Sequence, residues 1–139
     1  LENLKNKSGY CEGYVISREI PKLDFWSPSL QHKLGYNSNE NLTLWDIMDQ
    51  QDADEWVQEL NAEIEERENF IKLNGNKPLI DYCLETHSIR RKILYDKMGC
   101  AFEVVCDLVK RWGKEDPTKL ESLTCQIYWP ESFDTNCLI

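Results

Sequence analysis

The sequence predicts a single α+β domain. Three observations carry that expectation: β-prone segments near the amino end, a middle third with apolar residues at helical spacing, and a last third where they alternate with period two. A chain of 139 residues can bury most of the surface that its unfolded form exposes without disulfide or metal support. Its 41% hydrophobic and 29% charged residues are those of a globular protein, which excludes disordered and fibrous classes. No run approaches the roughly 18 apolar residues of a membrane helix, and the start lacks a basic-then-apolar signal pattern. A soluble, cytoplasmic segment with no membrane contact is therefore expected. A formal charge of −9, with lysines and arginines scattered among acids, excludes nucleic acid as a partner.

YVISREI (residues 14–20) is β-prone, and Pro21-Lys22 makes a turn into a second short strand, Leu23 to Trp26, so a hairpin is expected. Ser27 can cap a helix start, Pro28 suits its first position and Gly35 suits the left-handed residue past its end. Leu30 and Leu34 form the apolar stripe of that short helix, and Tyr36 can fold back onto Leu30. Thr43 and Asp46 have capping-box spacing before a brief helix carrying Leu44, Trp45, Ile47 and Met48. Asp52 and Glu55 share that spacing and open the longest helix, Ala53 to about Glu68, with Trp56, Leu60 and Ile64 on one stripe.

After the turn NGNKP (residues 74–78), Ile80, Tyr82 and Leu84 alternate with Asp81, Cys83 and Glu85, and further on Phe102, Val104, Cys106 and Leu108 alternate with Glu103, Val105, Asp107 and Val109. Residues 89–95 fit either a strand or a helical turn. Leu123, Cys125, Ile127 and Trp129 mark a last strand that Pro130 ends. The expected order is ββ, ααα, then two or three strands.

That order resembles a PAS domain, and so do particular residues. FWSPSLQHKLGYNSNE (residues 25–40) is similar to the family's aromatic-Trp-Ser-Pro, short helix, Leu-Gly-Tyr and polar turn; LWDIMDQQDADEWVQEL (residues 44–60) resembles its next segment, with Asp49-Gln50 where many members have His-Pro. The resemblance implies an antiparallel sheet of about five strands with short helices on one face, spanning residues 1–139 with a core at about 10–130. It also implies a cavity between helices and sheet, with Phe25 and Trp26 at its entrance and Leu30, Leu34, Trp45, Met48, Trp56, Tyr82, Phe102 and Val104 lining it. Such a domain, excised from a larger signalling protein as its start at Leu1 suggests, would pass a small-molecule or redox signal to an output domain in the same chain, such as a histidine kinase of a two-component system or a cyclic-dinucleotide enzyme. A homodimer is expected. The identity of any cofactor stays open.

The alternative is a packed, ligand-free docking module, for which Val105 and Val109 supply a second apolar sheet face. The same aromatic residues serve equally well as plain core. His32 and His87 read as surface or capping residues, because a zinc site needs more ligands at recognisable spacing. The six cysteines, none in a C-x-x-C pair, read as reduced and buried, and the Asn-Cys-Arg-Phe-Leu-Gln run of the light-sensing members is absent. Asp49, Asp52, Asp54, Glu55, Glu63, Glu65, Glu66 and Glu68 cluster at a helix start and on its polar face, where negative charge is favoured without catalysis. With no phosphate-binding loop, nucleophile elbow or H-E-x-x-H present, the expectation is a non-enzyme.

Overall fold

The computed structural model describes residues 8–14, 22–37, 40–74 and 83–129. Five strands form one sheet: β1 (Ser8–Tyr14), β2 (Lys22–Trp26), β3 (Glu85–Tyr95), β4 (Ala101–Trp112) and β5 (Leu120–Tyr128). Their spatial order is β2-β1-β5-β4-β3, and all four described pairings are antiparallel. Because β1 pairs with β5, the first and last strands lie side by side within the sheet. Between β2 and β3 lie helix α1 (Pro28–Leu34), a 3-10 turn (Leu44–Ile47) and helix α2 (Gln50–Asn74). This is the expected α+β arrangement.

The short helix is held by its ends. Ser27 Oγ accepts from the amide of Leu30 at its start, and at its end the amide of Tyr36 reaches the carbonyl of Gln31 across Gly35 at φ 77°. Ser27 also exchanges two hydrogen bonds with Tyr10 of β1, its amide to the Tyr10 carbonyl and its Oγ from the Tyr10 amide, which pins the helix to the sheet. A seven-residue helix is not stable alone; these bonds and the burial of Leu30 and Leu34 supply what it lacks. The Tyr36 ring packs edge-on against Trp26. Thr43 and Asp46 form the expected capping box, with the Thr43 amide donating to Asp46 Oδ2 at 2.8 Å.

Three boundaries differ from the sequence expectation. The first strand is Ser8–Tyr14, upstream of the β-prone residues, of which 15–20 lie outside the described residues. Pairing decides this: residues 8–13 are the ones that face β5. Helix α2 starts at Gln50 rather than Ala53, since the Ala53 amide bonds the Asp49 carbonyl, and Asp52 falls inside the first turn, where the dipole also favours it. It runs on to Asn74, whose side-chain amide bonds the Phe70 carbonyl. Residues 89–95, open to either reading, are strand. Leu84 precedes β3, while Ile80 and Tyr82 lie outside the described residues.

Candidate functional site

Alternation in the sheet sorts the candidate residues. Phe102, Val104, Cys106 and Leu108 of β4 face inward, with Leu94 of β3 and Trp26 of β2, beneath Leu30, Leu34, Met48 and the α2 stripe Ala53, Trp56, Leu60 and Ile64. Of the ten residues the sequence assigns to the cavity, Trp26, Leu30, Leu34, Met48, Trp56, Phe102 and Val104 are brought into this interior, and Trp45 packs against it partly buried. Tyr82 lies outside the described residues. Phe25 is a correction to the expected entrance: it neighbours Trp26 in a strand, so it points to the outer face, where it is 54% exposed beside Tyr10.

Among the described residues the interior is apolar except at the buried Ser27, Lys92 and Lys110 and at the indole of Trp56. Trp56 is 1% exposed, its ring meets Trp45 edge-on at 6.1 Å, and its Nε1 has no hydrogen-bond partner among the described residues. An indole N–H is a donor that buried sites nearly always satisfy. Above the same ring, 5.2 Å from its centroid, sits the ammonium of Lys92. The Lys92 side chain is 9% exposed, and its nearest carboxylate oxygen, Asp52 Oδ1, lies 4.0 Å away, outside hydrogen-bond reach.

Helix α2 meets edge strand β3 through polar groups. The Asp49 carboxylate lies beside the Tyr95 hydroxyl and holds that phenol above its ordinary pKa. Glu59 pairs with Arg90 at 3.3 Å, and Glu63 accepts from Thr86 at 2.7 Å and from the buried Lys110 ammonium, which also donates to Ser88. Arg67 lies 4.0 Å over the Trp112 ring and donates to the carbonyls of Cys83 and Pro117. Partners descend β3 as the helix ascends, so the two run antiparallel along a charged seam.

Among the described residues, two recesses lie beside this interior. One, of about 30 Å³, lies among Asp24, Trp26, Gln31, Tyr36 and Glu40 and is water-sized. The other, about 770 Å³, opens to solvent at the open end of the β3–β4 hairpin, where Glu85, Arg111, Lys114 and Asp116 mix both signs of charge. Neither is an enclosed apolar pocket of the kind that takes small molecules.

Neither a family model nor a curated protein matches the sequence. Solved structures do match the fold. A PAS domain from the fruit-fly ELK potassium channel superposes with TM-score 0.58 at 10% identity, covering 87% of this chain and 85% of that one. A fungal LOV domain photoreceptor gives 0.58 at 16% identity over 91% and 76%, and a PAS domain of an HTR-like protein from Haloarcula marismortui gives 0.52 at 9% over 86% and 83%. The fold is PAS-like.

In this PAS-like domain the cysteines split. Cys11, Cys106 and Cys125 lie fully buried on the inner face of the central strands, and burial pushes the thiols of Cys11 and Cys125 well above their ordinary pKa. Cys83 is exposed, contrary to the expectation that all are buried, because it falls just before β3 begins; Cys137 lies outside the described residues. His32 is exposed in the last turn of α1. His87 stands on the outer face between Glu85 and Asp107, at 2.9 and 3.0 Å. The residues that sequence reasoning misses are Lys92 and Lys110. A signal for them exists: Thr86, Ser88, Arg90 and Lys92 occupy alternate positions of β3, giving an inward face that is polar and matches the acids of α2.

Proposed function

We propose that this PAS-like domain is a sensory, regulatory module that takes up a small molecule between its inner sheet face and helices α1 and α2, which must part to admit it because neither recess beside the interior is a ready-made pocket. The single observation that supports it most is the Trp56 indole N–H, buried in an aromatic cluster without an acceptor among the described residues: a ligand carrying one would satisfy a donor that those residues leave orphaned. The ligand would contact the interior residues around it, Trp26, Leu30, Leu34, Trp45, Met48, Trp56, Phe102 and Val104. Signalling would follow from a population shift, in which the ligand favours one packing of α2 on β3 and the attached output domain, such as a histidine kinase or a cyclic-dinucleotide enzyme, responds. Burial and raised pKa make Cys11 and Cys125 poor redox sensors, so a redox form of the signal would rest on the exposed Cys83 instead. Native mass spectrometry with an absorbance scan of the purified domain tests this reading: a retained molecule is expected, and protein alone in every preparation counts against it.

A second reading, docking through the outer sheet face, is favoured by the exposure of Phe25, Ile89 and Ile93 there. Val105 is half-buried and Val109 buried on that face, so they contribute less to it than the sequence suggests.

A further inference from the structure

Lys92 is a buried cation with an incomplete set of partners. Its ammonium has three donors and no hydrogen-bonded acceptor among the described residues; Asp52 stands at 4.0 Å, and the face of Trp56 gives a cation–π contact at 5.2 Å. The other buried lysine shows what completion looks like: Lys110 is bonded to both Glu63 and Ser88. Burying an ammonium is costly unless hydrogen bonds compensate it. Around one indole the protein thus holds two under-used donors, the Trp56 N–H in the ring plane and the Lys92 ammonium above it. Asp52 is one-third exposed at the start of α2, so water solvates its carboxylate and leaves the lysine under-compensated.

We propose that Lys92 and Trp56 form the anchor of the interior site and that the ligand is a small organic carboxylate, one oxygen taking the ammonium and the other the indole N–H. This rests on the small-molecule reading above and narrows it to a chemical class. Asp52 competes with the ligand for Lys92, and its displacement at the first turn of α2 would couple occupancy to the charged seam along β3.

The test uses acetate, benzoate and succinate at millimolar concentration, with acetamide, benzamide and succinamide as neutral counterparts. The readouts are the Trp56 Nε1–H resonance, the melting temperature and native mass spectrometry. At least one acid is expected to move the resonance and raise Tm while its amide does neither. Lys92→Met should weaken acid binding by about tenfold or more, yet leave the unliganded Tm unchanged or higher, because it removes an unsatisfied buried charge and keeps the apolar stem. Asp52→Asn should strengthen binding. A Tm that falls in Lys92→Met, with acid binding intact, would make the lysine a structural partner of Asp52 and overturn the proposal. Amides that act as well as acids, or a retained neutral molecule that survives Lys92→Met, overturn the carboxylate class and leave the sensory reading standing; no response to any probe together with a bare protein mass defeats both.

Discussion

A methyl group added at Gly9 would lie 2.8 Å from Leu30 Cβ and 3.1 Å from the Leu30 backbone. Helix α1 cannot yield without stretching the paired bonds between Ser27 and Tyr10, so Gly9→Ala is expected to cost about 1–3 kcal/mol in urea unfolding, the usual range for overpacking. At Gly99, where φ is 86° and a Cβ meets nothing within 4 Å, Ala should cost only about 1–2 kcal/mol from the left-handed backbone. His87 supplies a pH test at the same scale. Hydrogen bonds to Glu85 and then Asp107 raise its pKa above 6.5, and the bond from His87 lowers that of Glu85 below 4.5, with Arg111 also facing Glu85 at 3.4 Å. The histidine's contribution is complete below the unfolded value and fades as pH rises through the raised folded value; that of Glu85 is complete above 4.5 and fades as pH falls through its depressed one. Stability of the wild type relative to His87→Gln should therefore peak between about pH 4.5 and 6.5 and shrink toward pH 8.5. A flat difference over that range would show that the exposed cluster contributes nothing.

Elements are held by different forces, and their legibility follows from this. Helix α1 is readable because its signals are local: Ser27, Pro28 and Gly35 act on backbone within one or two turns. Strand β1 is not, since residues 8–14 contain two glycines and owe their extended state to β2 and β5, which no local window contains. The polar seam between α2 and β3 is equally hidden, because Glu63 meets Thr86 and Lys110 only once the sheet has formed. At this scale Glu63→Ala is expected to cost about 2–4 kcal/mol, below the full penalty for a sealed pair because Glu63 is one-quarter exposed, and it leaves Lys110 at 3% exposure without its carboxylate. Replacing both, Glu63→Leu with Lys110→Met, should recover most of that loss in a double-mutant cycle. A double variant that loses the sum of the two single losses would show that the side chains act independently and that their pairing carries little of the seam.

For the whole molecule, the candidate interior was legible in outline, since period-two and period-3.6 stripes place Trp56, Phe102 and Val104 on facing surfaces; the inward lysine on β3 was not, because a charged residue in an alternating strand reads as outward by default. The outer face poses the opposite problem: Ile89 and Ile93 are 59% and 39% exposed on an edge strand, flanked by Arg91 and by the acids Asp107 and Glu103 directly across from them. If a homodimer forms there, two surfaces join an apolar patch while two bodies of formal charge −9 repel each other. Salt screens the repulsion over roughly 10 Å at 0.1 M and about 3 Å at 1 M, and leaves the apolar gain intact. Association measured by sedimentation equilibrium should accordingly tighten as sodium chloride rises from about 0.05 M to 0.5 M, the reverse of a dimer held by ion pairs. Ile89→Lys combined with Ile93→Lys should abolish it while shifting the stability of the monomer by less than about 0.5 kcal/mol, since both side chains are already in water. A monomer at every salt concentration, or a dimer that the two lysines leave untouched, removes this face from consideration as the homodimer contact.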